Sequence, residues 1–273
     1  MIKHAFFLLL IATSLTGFSQ AGKIYGKLIN LSTDVITNEQ ERALIGNGTH
    51  DDVNAIALGL KMTAGKNILY LPAGTYFLKK EVALFTSNLH IKGAGKGKTI
   101  IKWDSTYEGN KAVFQSNGAS DLSFEGITFT GNEKEVKAVL EFNSYPNQCK
   151  NISVINCEFT NVWAKQAINF GNTAPGQKHS NDNVLIDSCR FYNIYNPAQK
   201  IVTNDTDLKC AAIDLQETTL HAEIKNCRFE NISGDGIRGW GSVEKPTSKD
   251  SNPYYGNWNI HHNYFNLCWM GIE

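Results

Sequence analysis

Five segments of this chain align on a shared phenylalanine, and that repeat restricts the possible folds more than any other feature. They are "LSFEGITF" ending at Phe129, "ISVINCEF" at Phe159, "VLIDSCRF" at Phe191, "AEIKNCRF" at Phe229 and "WNIHHNYF" at Phe265. Five residues before each phenylalanine stands Phe124, Val154, Ile186, Ile224 or Ile260. Three before it stands Gly126, Asn156, Ser188, Asn226 or His262, and two before it Ile127, Cys157, Cys189, Cys227 or Asn263. Three copies continue to Val162, Ile194 or Ile232. Each segment therefore reads as an alternating strand, a tight turn at the Gly/Asn/Ser position, and a second alternating strand. Glycine and asparagine tolerate the left-handed backbone that such a corner demands.

The phenylalanines are 30, 32, 38 and 36 residues apart. A fixed strand core with irregular spacing predicts coils of one solenoid that carry loops of different length. Stacked rungs then repeat at about 4.8 Å, the ordinary strand separation. The expected fold is all-β, a parallel β-helix.

The 273 residues suffice for a buried core. The 26 basic and 26 acidic residues cancel, which excludes bulk attraction to nucleic acid or to an anionic membrane surface. The first twenty residues, "MIKHAFFLLLIATSLTGFSQ", combine Lys3, an apolar run from Ala5 to Ala12, and the small residues Gly17 and Ser19. This pattern predicts a secretory signal peptide over residues 1–19 and an exported protein, secreted or periplasmic. No later stretch is long and apolar enough to predict a membrane helix. Residues 20–45 read as a lead-in and 46–273 as the β-helix. The sequence stops at "CWMGIE", inside a strand, so we expect the native chain to be longer or a partner to cover that end.

Cys157, Cys189 and Cys227 fall in one column with inward-facing neighbours. That placement predicts an internal ladder of small side chains, with a disulfide between rungs open in an exported chain. No CxxC occurs, which argues against zinc. Ahead of the repeat, "GNGTHDDVNAIALGL" (46–60) switches to helical spacing. Val53, Ile56, Ala57 and Leu60 share one face, and Asp51 and Asp52 are expected in the first turn. A short N-terminal capping helix follows. "NILYLPAGTYFL" and "NLHIKGAGKGKTIIKW" each read as two strands about a turn. The second is not a phosphate loop, because Lys92 stands where its first glycine is required and "TIIKW" is not helical.

These three stretches, in this order, resemble the opening of pectate-lyase superfamily proteins, the right-handed parallel β-helices that include polygalacturonase-like enzymes and tailspike-like depolymerases. The resemblance runs from Gly46 to Glu273. It implies a right-handed coil, a polysaccharide substrate, and a capping role for Asp51 and Asp52. The Asn-Thr-Asp, Gly-His-Gly and Arg-Ile-Lys motifs of polygalacturonases and the Arg-x-Pro of pectate lyases are absent, so no catalytic residue transfers directly.

Candidate site residues come instead from a second alignment. "VLEF", "AINF", "AIDL", "GIRG" and "GIE" place Leu140, Ile168, Ile213, Ile237 and Ile272 inward. The next residue in each, Glu141, Asn169, Asp214, Arg238 or Glu273, points outward. Long connections border this polar column and carry Trp163, Tyr195, Trp240, Tyr254 and Tyr255, rings suited to stacking on sugar faces. Asp214, Arg238 and Glu273 are the candidate catalytic residues, and Glu141, Asn169 and the five aromatic residues the candidate substrate contacts. A plain solvated face is the alternative.

An acidic, uronate-containing polysaccharide fits such a groove, and two reactions remain open. In β-elimination Arg238 neutralises the substrate carboxylate or acts as base, with a divalent cation such as Ca2+ held by Asp214 or Glu273. In hydrolysis Asp214 and Glu273 are acid and base. Their expected Cα separation of roughly 9–10 Å across two rungs approaches the roughly 6.5–9.5 Å carboxyl spacing of inverting enzymes. Asp235, between two glycines, reads as a turn residue, and His261 and His262 as corner residues. A non-catalytic carbohydrate-binding or adhesin-like β-helix is the rival to the lyase or glycoside hydrolase reading.

Overall fold

The corners are where this sequence turns into a coil. The computed structural model describes residues 28–30, 46–63, 67–173, 181–196, 210–215, 219–239 and 257–272. In it Gly126, Asn156, Ser188, Asn226 and His262 all have positive φ, between 51° and 68°. Every copy of the repeat turns at the position the alignment marks. Two further columns do the same. Asp121, Asn151 and Asn183 turn into the first strand of a coil, and Asn161, Asn193, Asn231 and Leu267 turn out of the second.

Asparagine suits these places twice over, because it accepts the left-handed backbone and its amide reaches the next rung. Asn151 donates to Asp121 at 2.7 Å and Asn183 to Asn151 at 2.6 Å. Asn193 donates to Asn161 at 2.7 Å and Asn231 to Asn193 at 3.0 Å. These ladders tie successive corners together.

The strands between corners pair in parallel throughout. Eight form one sheet, from Leu28–Asn30 and Asn67–Leu71 through Cys149–Ile155 to Asn257–His261. Eleven form the other, in which long strands such as Thr128–Ser144 and Glu158–Thr173 run through a corner and serve two sides of the coil. The fold is a right-handed parallel β-helix. Leu28–Asn30 pairs with Asn67–Leu71 in register, which puts a strand ahead of residue 46 that the sequence reading did not place.

The shared phenylalanines form a column of rings. Phe129, Phe159, Phe191, Phe229 and Phe265 stack with centroids 4.7–5.0 Å apart and ring planes within 16° of parallel. The rung repeat imposes this near face-to-face geometry, since identical rotamers on paired strands lie one strand separation apart. Beside them the Cys157, Cys189 and Cys227 thiols are buried and free. Each backbone carbonyl in that column accepts from the next rung: the Cys157 carbonyl from Arg190 N–H, that of Cys189 from Arg228 N–H, and that of Cys227 from Tyr264 N–H. No disulfide joins the described cysteines. Burial pushes the Cys157 thiol up to about 12, so it is inert as a nucleophile.

The helix Val53–Met62 lays Val53, Ile56 and Leu60 on the apolar core. Its buried face includes Ala55, while Ala57 is only half-buried. The two acids differ from expectation, because the first turn contains no acidic residue. Asp52 is the residue just before the helix, and its buried carboxylate accepts from Phe77 N–H at 3.3 Å. Asp51 accepts from Val53 N–H and Lys79 N–H at 3.2 and 3.3 Å. Both acids pin the helix to the first rungs rather than balancing its dipole.

Candidate functional site

The column read from "VLEF", "AINF", "AIDL" and "GIRG" exists as a register. Gln115, Glu141, Asn169, Asp214 and Arg238 are successive Cα partners on adjacent strands. Their neighbours Phe114, Leu140, Ile168, Ile213 and Ile237 pair in the same order and fill the core. Strand alternation alone then turns the polar set away from that core.

The column is not a solvated face, which corrects that alternative. Glu141, Asn169, Asp214 and Arg238 are 1%, 3%, 1% and 4% exposed. Arg238 Nη2 lies 2.6 Å from Asp214 Oδ2, and Gln166 Nε2 donates to the same oxygen at 3.3 Å. One rung and more toward the N-terminus, Asn169 donates to Glu141 Oε1 at 3.2 Å and Lys137 Nζ sits 2.5 Å from that oxygen. Each carboxylate thus has a cation and an amide on one oxygen. The Arg238 guanidinium is thus held against an acid on the neighbouring rung.

Of the two acids expected to hold a cation between rungs, Glu273 lies outside the described residues. Asp214 Oδ2 and Glu141 Oε1 already carry a guanidinium and an ammonium, and the described residues contain no group of three His, Cys, Asp or Glu placed for a metal.

Trp163 and Tyr195 are Cα partners on adjacent rungs, with ring centroids 6.5 Å apart at 61° and Tyr195 exposed. Trp163 lies three residues before Gln166, and Tyr195 is its partner on the next rung. Glu273, Trp240, Tyr254 and Tyr255 lie outside the described residues. Asp235 is no turn residue. It sits buried inside the strand Arg228–Gly239, in register with Ala211. Its glycine neighbours are there for space: a Cβ on Gly234 would lie 1.9 Å from the Cys210 carbonyl oxygen, and one on Gly236 2.7 Å from that of Gly271. Lys137 and Gln166 lie within the strands Thr128–Ser144 and Glu158–Thr173, and escaped the alignment because it compared only the residues around the inward aliphatic position.

A second charged cluster lies on the eight-stranded sheet. His90 and Lys92 reach Glu125 at 3.0 and 2.9 Å, and these contacts, the His90 hydrogen bond foremost, lower the Glu125 carboxyl to about 2. A depressed acid stabilises the fold above its ordinary range, near 4.5, and that contribution is lost as pH falls through about 2. His90→Ala is expected to move the Glu125 titration upward and shift acid unfolding to higher pH. NMR titration of the Glu125 carboxyl would check it; an unmoved midpoint refutes the assignment. His261 also meets an acid, Glu223 Oε1 at 3.1 Å, and its neighbour His262 is a corner residue with φ 55°.

With this geometry in place the comparisons with known proteins are informative. A family model described as rhamnogalacturonase A/epimerase, pectate lyase-like matches residues 36–273. The chain belongs to that family. Among curated relatives of this pectate lyase-like chain, a mannuronan C5-epimerase of Azotobacter vinelandii is 30% identical over 122 residues, covering 40% of this chain and 12% of the relative. An alginate lyase of the same organism is 29% identical over 108 residues, covering 35% and 13%. A solved alginate lyase of the PL6 family superimposes with a TM-score of 0.59 at 14% identity, over 89% of this chain and 29% of that one. That likeness concerns the fold. This pectate lyase-like chain spans less than a third of any of these three proteins.

Proposed function

We propose that this chain is an exported enzyme that acts on an acidic, uronate-containing polysaccharide, with the Glu141–Asn169–Asp214–Arg238 row as the floor of its site. The observation that carries this reading is the buried Arg238–Asp214 pair on the outer side of a coil. A buried ion pair stabilises no better than apolar residues of similar size, so its presence there points to a use other than folding. Arg238 is the cation for a substrate carboxylate, and Asp214 fixes its plane.

A carboxylate so neutralised acidifies the adjacent C5–H of a uronate, because the charge left after proton loss spreads onto the carboxylate oxygens. In β-elimination a general base takes the C5 proton, and the C5–H electron pair forms the C4–C5 double bond. The C4–O bond breaks, its oxygen taking up a proton and leaving as the new reducing end of the chain on the non-reducing side. The buried row contributes charge neutralisation to this step. Returning a proton to the other face of C5 inverts the sugar instead. The epimerase and lyase names among the relatives support these two outcomes over hydrolysis.

The full-length protein should be incubated with polymannuronate, polyguluronate and polygalacturonate in D2O. New reducing ends with unsaturated-uronate absorbance establish elimination, and deuterium at C5 without cleavage establishes epimerisation. Reducing ends alone would mean hydrolysis, and no product across the panel would make this a binding protein; either result overturns the proposal. Arg238→Lys keeps the charge but not the planar fork, and is expected to lose about 100-fold or more in kcat/KM.

A further inference from the structure

The polar column changes character along its length. Asp214 and Arg238 hold opposite charges, but the rungs before them are dominated by amides. Gln115 Nε2 and Asn143 Nδ2 both donate to Asn117 Oδ1, at 3.2 and 3.3 Å. Asn117 and Asn143 are Cα partners, two residues beyond the Gln115–Glu141 pair on the same strands. On the next rung Asn143 is paired with Gly171, which has no side chain to meet it. The one charge here, Glu141, is matched by Lys137.

Two oxygens in this stretch are buried without a partner. Asn143 Oδ1 and Asn169 Oδ1 accept no hydrogen bond, although their residues are only 4% and 3% exposed. An unmade buried acceptor costs about 1–3 kcal/mol, so a folded chain retains two on neighbouring rungs only where something else supplies the donors. The donors must be neutral or weakly polar groups, because the local charges are already balanced. Exposed Tyr145, two residues past Asn143, adds a flat ring at the edge.

We infer that Asn117, Asn143 and Asn169 form an uncharged subsite that holds, through its hydroxyl groups, a sugar unit flanking the uronate bound at Arg238. This rests on the proposed function for the identity of the polymer, but its recognition chemistry is separate. The unit at Arg238 is selected by its carboxylate and the flanking unit by its hydroxyls, so the flanking position accepts a neutral sugar. The rung repeat of about 4.8 Å is comparable to the length of one hexopyranose unit, which places successive units over successive rungs.

Calorimetric titration with oligomannuronates and oligogalacturonates of defined length, and with their carboxyl-reduced counterparts, separates the two claims. Asn143→Ala is expected to weaken binding of the longer oligomers about three- to tenfold, the worth of one neutral hydrogen bond. It should leave the shortest bound oligomer unaffected. The same loss should persist on carboxyl-reduced chains, where Arg238→Lys has no effect. If the enzyme turns nothing over but Asn143→Ala still weakens binding, the proposed function fails and the subsite stands. Equal affinities for wild type and Asn143→Ala overturn the subsite, whatever the activity. An affinity loss in EDTA matching that of Asn143→Ala would assign the two oxygens to a cation, and overturn it too.

Discussion

Arg238→Ala is expected to lower the unfolding free energy by about 3–5 kcal/mol, the cost of leaving a buried carboxylate without its cation. Asp214→Ala should cost a similar amount for the mirrored reason. The sequence places both residues outward, a placement that by itself predicts little cost to the fold on their removal. Their 4% and 1% exposure reverses that expectation. Loss of activity in either single variant therefore says nothing about catalysis unless stability is measured beside it. The paired variant Asp214→Leu with Arg238→Met removes both charges and should recover most of the loss. Urea unfolding of wild type, the two alanine variants and the Asp214→Ala/Arg238→Ala double variant closes a double-mutant cycle, with the Asp214→Leu/Arg238→Met protein measured beside it. Single variants within about 0.5 kcal/mol of wild type would show that water reaches the pair, and the burial argument would fail.

Phe191→Ala is the second large effect, again about 3–5 kcal/mol, because it opens a ring-sized cavity in the middle of the aromatic column. Phe159 and Phe229 stack on its two sides at 4.9 Å, so neither can close the gap without leaving its rung. Phe265→Ala should cost clearly less, since Phe265 is only partly buried and touches one stacked neighbour. In a solenoid stability is close to a sum of rung terms and nearest-neighbour terms. Guanidinium denaturation of the two variants compares them directly. Equal losses would mean that the column does not couple rung to rung.

The repeat was legible because a parallel coil writes its geometry into spacing. Each rung needs a left-handed corner, and only a few residue types tolerate one. Asn156, Ser188 and Asn226 therefore stand out in an otherwise variable alignment. Inward positions need volume, so the phenylalanines and cysteines recur. The Asn161–Asn193–Asn231 ladder went unread even though its residues also recur at fixed spacing, because asparagine is common in loops and its amide contacts appear only between rungs. The polar column was found by the same logic, since Glu141, Asn169, Asp214 and Arg238 each follow an inward aliphatic residue.

What spacing does not carry is the third dimension around that column. Alternation tells a side chain which face of the strand it takes, not whether water reaches that face. Asp51 and Asp52 show the same limit, because the sequence gives their proximity to a helix but not the Phe77 and Lys79 amides that they accept from. Lys137 and Gln166 sit in strands just ahead of the aligned residues, and spacing along the chain does not show that they reach Glu141 and Asp214. Sequence alone thus determined the coil, its corners and the membership of the polar row, because those depend on local backbone preference and period. Tertiary structure alone decided that the row is buried, that Arg238 is locked to Asp214, and that two amide oxygens are left open, because those depend on which rungs stack and on what covers them.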